Sequence, residues 1–123
     1  MPFHAYELAL QAIRELRPIV AVIKKHDPDL AKQIRRAASS VTLNINEGSK
    51  RRGEDRLYLY SVAAGSANEV LAGLDTSDAW GWTNGAPDVR ETYDHMLAIL
   101  WIVCNKSVRE SPQEAQQPRQ QAA

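Results

Sequence analysis

Lys32–Arg56 reads KQIRRAASSVTLNINEGSKRRGEDR. At about 100° per residue, Leu30, Ile34, Ala37, Ala38, Val41 and Ile45 fall in one narrow stripe. Lys32, Arg35, Arg36, Ser39 and Asn46 lie on the other side, with Leu43 among them. That pattern is an amphipathic helix with one apolar outlier. Gly48 suits the left-handed residue that ends a helix, so the helix is expected to stop near Glu47. Lys50, Arg51 and Arg52 follow, and Gly53-Glu54-Asp55 opens another helical pattern. The stretch is a helix–turn–helix connection with a basic elbow.

The flanks extend the same theme. His26-Asp27-Pro28-Asp29 marks a boundary: Asp27 is a good N-cap, Pro28 suits the first helical position, and Asp29 favours the positive end of the dipole. Before it, Leu8, Ala9, Ala12, Ile13, Leu16, Ile19, Val20 and Ile23 recur at helical spacing. Pro18 falls on the polar side of that pattern, where it removes one backbone hydrogen bond and crowds the preceding turn. One bent helix is expected there rather than two short ones. After the elbow, Leu57, Tyr60, Ala64, Ala67, Leu71 and Leu74 form the main stripe of a third helix. Leu59, Val62, Ala63 and Val70 add apolar surface on another side. Gly65 and Gly73 weaken the helix but permit close backbone approach. Asp75–Ala86, DTSDAWGWTNGA, has turn composition, and Trp80 and Trp82 within it are expected to cap one end of the core. From Pro87-Asp88 a fourth helix turns Val89, Tyr93, Met96, Leu97, Leu100, Val103 and Cys104 one way, and Ile99, Trp101 and Ile102 others.

Four helices are thus expected, over about 5–25, 28–47, 54–76 and 87–106, with no strand signal. Short connections argue an all-α, antiparallel up-down-up-down four-helix bundle over residues 1–106. Its core should contain Leu16, Ile34, Val41, Leu57, Ala64, Leu71, Leu97 and Leu100. Residues 107–123 are rich in Gln, Pro, Ala and charge without periodicity, and are expected to be a disordered tail. The third and fourth helices carry more apolar surface than one bundle core buries. A homo-oligomer follows, with Leu43, Leu59, Val70, Ile99 and Ile102 as candidate subunit contacts.

Composition narrows the function. A chain of 123 residues with 44% hydrophobic content suits one domain around one core. Formal net charge is zero, which removes any global electrostatic argument for nucleic acid. The distribution is uneven, however. Lys32, Arg35, Arg36, Lys50, Arg51, Arg52 and Arg56 face only Glu47, Glu54 and Asp55 in their stretch, whereas Asp75, Asp78, Asp88, Glu91 and Asp94 face Arg90 alone in theirs. Cys104 is the single cysteine, which excludes an intramolecular disulfide and reads as a small packing residue. The start, MPFHAYELAL, lacks the features of a signal peptide. The longest apolar run, Met96–Cys104, is about half of what spans a bilayer. A cytoplasmic protein with no membrane partner is expected.

QIRRAASSV, NINEGSKRR and the later GSANEV resemble the four-helix-bundle proteins encoded by intervening sequences within bacterial large-subunit ribosomal RNA genes. The resemblance rests on Arg35, Arg36, Asn46, Glu47, Gly48, Ser49, Arg51, Arg52, Gly65, Ser66 and Glu69, with Gly81-Trp82 between the last two helices. Departures are Gly53 in place of a serine or threonine cap, Pro18, and the tail. The resemblance implies an all-α bundle that assembles as a ring-like homopentamer. It also implies kinship with the accessory protein of diversity-generating retroelements, a basic pentamer held to contact nucleic acid and a reverse transcriptase. It supplies no catalytic residue.

Three functions fit these residues. The first is a non-catalytic assembly module that binds RNA or DNA through Arg35, Arg36, Lys50, Arg51 and Arg52, whose guanidinium and ammonium groups match phosphate oxygens. Without a base-reading motif such binding would follow shape and charge. The second is a structural or adaptor oligomer that binds another protein. The third is a helical ribonuclease using Arg90 and His95, although a spacing of five places these about 140° apart on a helix. Glu47 and Glu69 read as structural acids inside the bundle or at its edge, with Ser61, Asn68 and Arg35 as candidate partners. His4 and His26 read as exposed, and no motif for a metal or cofactor occurs.

Overall fold

The structure is a computed structural model describing residues 3–109. It comprises α1 (His4–His26), α2 (Pro28–Ser49), α3 (Gly53–Ala79) and α4 (Pro87–Arg109), with no strand among the described residues. The all-α class and the four helices stand as the spacing predicts. The expected tail is helical as far as Arg109, and its remainder, 110–123, lies outside the described residues.

Helix ends follow local chemistry at the first boundary and at Pro87, where α4 begins, and depart from it at the ends of α2 and α3. Asp27 alone links α1 to α2. Its carboxylate accepts from the Leu30 N–H at 3.0 Å, and Pro28 occupies the first turn, as the boundary residues dictate. α1 runs uninterrupted through Pro18. α2, in contrast, continues through Gly48 to Ser49. Gly48 is not the left-handed stop: the positive-φ glycines are Gly53, Gly81 and Gly85. A Cβ on Gly48 would sit 2.6 Å from Cε1 and 2.8 Å from Cδ1 of the Tyr60 ring, so the residue is small because α3 presses on it. The carbonyls left open at this end are met by Arg56, which donates to Gly48 O and Ser49 O at 3.3 Å each.

α3 outruns its expected end by a turn and takes in Asp75–Ala79. Tertiary partners override the turn-forming composition here. Arg90 pairs with Asp75 at 2.8 Å and Asp78 at 3.0 Å. Asp78 also accepts from the Thr83 hydroxyl at 2.5 Å and the Gly85 N–H at 3.1 Å. The Thr83 hydrogen bond, followed by the Gly85 N–H and Arg90, holds the Asp78 carboxyl below its usual range. Only residues 80–86 remain as connection.

Each helix packs on its neighbour in sequence and α4 packs back on α1, with α3–α4 the least extensive of these seams. Leu16, Ile34, Val41 and Leu100 are buried as expected, together with Tyr60, Leu74, Tyr93 and Met96. Leu57, Ala64, Leu71 and Leu97 are only half-buried. α3 is turned from its expected orientation and buries Tyr60, Ala63, Ala67, Val70 and Leu74. Val70, expected at a subunit contact, is therefore fully enclosed within its own chain. Small residues explain the turn. A Cβ on Gly73 would lie 2.7 Å from Ile34 Cγ1, and Ser66 and Ser40 share a 2.8 Å hydrogen bond. That side of α3 fits closest to α2. The tryptophans do not cap the core as expected. Trp82 is half-buried and stacks on His26 (5.2 Å) and on Trp80 (5.7 Å), and Trp80 is 68% exposed.

Candidate nucleic-acid interface

Arg35, Arg36, Lys50, Arg51 and Arg52 are all exposed, but helix geometry divides them. Lys50 follows Arg36 by fourteen positions, about 21 Å along the axis of α2. The elbow therefore consists of Lys50, Arg51 and Arg52, where the chain leaves α2 and Gly53 (φ 59°) redirects it into α3. Arg51 has a partner four residues back: it donates through Nη2 at 2.6 Å and Nε at 3.1 Å to Glu47 Oε2. Both side chains are about half exposed, so the pair is worth at most about 1 kcal/mol. Lys50 and Arg52 form no ion pair among the described residues.

Arg35 belongs to another place. It edges a groove of about 450 Å³ between α1 and α2, with Arg17 and Lys24 on the rim and Leu16, Val20 and Ala38 along the floor. None of the three rim cations is ion-paired among the described residues. Arg17 and Lys24 are absent from the site expected on sequence grounds, though a signal exists. They are seven residues apart, hence on one face of α1, and that face adjoins the apolar stripe. Arg36 lies beyond the rim, on a shallower surface with Ser40, Leu43 and Asn44 that Arg35 also borders.

Of the acids of the family-like motifs, Glu47 lies at the bundle edge in a pair with an arginine, as expected in kind, and Glu69 does not. Glu47 is half-buried and engaged by Arg51, and Glu69 is exposed. Neither is bonded to Ser61, Asn68 or Arg35 among the described residues. Ser61 donates to Tyr58 O, and the polar link between α2 and α3 is Ser66 to Ser40. Of the candidate subunit contacts, Leu43 is 66% exposed and Ile102 57%, while Leu59 and Ile99 are half-buried. Trp101 and Tyr58, outside that candidate set, are also largely exposed.

Arg90 and His95 do not form a joint site. Arg90 is spent on Asp75, Asp78 and Gly85 O, a clamp between α4, its preceding loop and α3. His95 is exposed and packs edge-on against His4 of α1 at 5.3 Å. Burial pushes the Cys104 thiol up, which suits a packing role and suppresses nucleophilicity. Among the described residues no group of three His, Cys, Asp or Glu side chains is placed to hold a metal ion. No described helix is long and apolar enough to cross a membrane.

No curated protein matches the chain. The family model for the 23S rRNA-intervening sequence protein does match, over residues 3–101, a span that runs from the start of α1 through most of α4. With the four helices and the motif residues of α2 and α3 inside that span, the chain belongs to the 23S rRNA-intervening sequence protein family.

Proposed function

We propose that the protein is a non-catalytic, homo-oligomeric module that holds nucleic acid electrostatically through the elbow at Lys50, Arg51 and Arg52, with Arg36 and Arg35 further along α2. The observation that carries the reading is that Lys50 and Arg52 stand exposed beside Arg51 with no acidic partner among the described residues. Phosphate oxygens match such groups, and no aromatic ladder or base-reading element accompanies them. A ring would repeat the elbow once per subunit and sum potentials that a single copy leaves weak. The exposed Leu43, Trp101 and Ile102 support assembly. The finer elements of the proposal are an up-down-up-down antiparallel order of helices, a pentamer, a cytoplasmic setting and kinship with the retroelement accessory protein. The helix order has support in the one-residue link at Asp27 and in α4 returning to α1.

The test is fluorescence anisotropy of a labelled single-stranded RNA and a duplex DNA at low and moderate salt. Wild type should bind both, with affinity falling steeply as salt rises. The Arg51→Glu, Arg52→Glu variant, at unchanged oligomeric mass, should bind more weakly and with a shallower salt slope, by about 0.7–0.9 for each phosphate it no longer neutralises. Equal affinity of the two proteins, or no binding to either probe at low salt, overturns the reading. The same exposed apolar residues favour one alternative, a structural or adaptor oligomer that binds another protein.

A further inference from the structure

The α1–α2 groove is a surface that phosphate binding at the elbow leaves unused. Its floor is apolar, from Leu16, Val20 and Ala38, and its rim carries Arg17, Lys24 and Arg35. A bare polyanion would meet the rim but leave the floor in water. The complementary occupant carries acidic and large apolar side chains on one face, and this chain carries such a surface.

On α4 the buried side is Val89, Tyr93, Met96 and Leu100. At about 100° per residue, Glu91, Asp94, Ala98, Trp101 and Ile102 share the opposite face. All five are exposed, and neither Glu91 nor Asp94 is ion-paired among the described residues. The lengths also agree. Ile13 to Lys24 along the groove is eleven residues, about 16 Å, and Glu91 to Ile102 along α4 is the same. Within one chain the two surfaces cannot meet. α4 reaches α1 on the side of Glu15, whose carboxylate accepts from the Thr92 hydroxyl at 2.7 Å, and it presents the Trp101 face outward.

We infer that the α1–α2 groove of one subunit receives the Glu91–Ile102 face of α4 from a second copy of the chain. Arg17, Lys24 and Arg35 meet Glu91 and Asp94, and Trp101 and Ile102 cover the apolar floor. The two surfaces differ, so the contact is head-to-tail, and repetition closes a ring where the rotation closes. This inference rests on the assembly part of the proposed function and names its interface. It also withdraws Arg35 from the nucleic-acid surface, leaving Arg36 and the elbow.

The experiment is light scattering of the full chain and its variants in low salt, with helicity checked by circular dichroism. Arg17→Glu with Arg35→Glu should bring the mass down to that of the 13.7 kDa monomer, and so should Glu91→Arg with Asp94→Arg. The quadruple variant, which exchanges the charges of both surfaces, should regain the wild-type mass. Should a charge reversal reduce helicity, Trp101→Ser supplies a further arm. It alters a side chain 66% exposed in the single chain, and the assembly should then dissociate at a concentration about tenfold higher. Double variants that keep the wild-type mass, a quadruple variant that stays monomeric, or Trp101→Ser without effect each overturn the interface while leaving assembly in place. A wild-type mass near 13.7 kDa overturns the assembly reading beneath it.

Discussion

Gly48→Ala tests whether the glycine of NINEGS is a packing residue rather than a helix stop. The added methyl would lie 2.6 Å from Tyr60 Cε1, 2.8 Å from Cδ1 and 3.3 Å from Leu59 Cβ. The ring has little room to yield, being 3% exposed and stacked on Phe3 at 5.6 Å. Overpacking of this kind costs about 1–3 kcal/mol. Replacing glycine by alanine in a helix returns up to about 1 kcal/mol, and less in a last turn. The net expectation is a loss of about 1–2 kcal/mol, read from urea unfolding by circular dichroism at one fixed protein concentration. Gly65→Ala is the internal control. Its Cβ meets nothing within 4 Å, so only the propensity gain of about 1 kcal/mol should appear. A Tyr60→Leu background separates the two explanations. If the ring is the obstacle, the cost of Gly48→Ala shrinks there by about 0.5 kcal/mol or more. An equal cost in both backgrounds, or a variant as stable as wild type, refutes the packing argument.

Two further outcomes follow from burial. Leu74→Ala, at a fully buried position, should cost about 2–5 kcal/mol in the same assay, and Leu71→Ala, half-buried, should fall below that range. The Tyr93 hydroxyl is buried without a hydrogen-bond partner among the described residues, so Tyr93→Phe should be neutral or stabilising by about 1 kcal/mol. Burial first, and then the charge of Glu15, push the Tyr93 phenol well above its ordinary range, so the fold favours the neutral form. The associated stability is fully present below about pH 10 and is lost as pH rises beyond it, and Tyr93→Phe should flatten part of that alkaline decline in the unfolding midpoint.

The fold was legible where a helix has a single apolar stripe. α1 and α2 each have one, and most residues that the spacing selects are buried, with Ile13, Ile19 and Leu30 half-buried at its edges. α3 has two, Leu57-Ala64-Leu71 and Ala63-Val70-Leu74, and hydrophobicity alone does not rank them. What ranks them is shape. Gly73 admits Ile34 and Ser66 meets Ser40, so the second set turns inward and the first is left half-buried. The end of α3 was illegible for a related reason. Asp75 and Asp78 are poor helix formers by composition, but they are held by Arg90 and Thr83, which lie later in the chain.

The charged surfaces show the limit more sharply. Reading along the chain gathers Arg35, Arg36 and Lys50–Arg52 into one basic cluster, because they are close in sequence. A helix undoes that grouping in two ways. Its rise carries Lys50 about 21 Å from Arg36, and its twist sets Arg35 and Arg36 about 100° apart. Arg35 thereby joins Arg17 and Lys24 on a rim over an apolar floor while also bordering the surface that carries Leu43, and Arg36 lies on that second surface alone. Charge neutralisation is equally hidden. Arg51 and Glu47 are four residues apart and pair even though α2 ends at Ser49 between them. A cation just past a helix end can thus still be neutralised by an acid in the last turn. The elbow's available charge resides in Lys50 and Arg52, and the cation set of the groove becomes visible only once α1 and α2 are packed together.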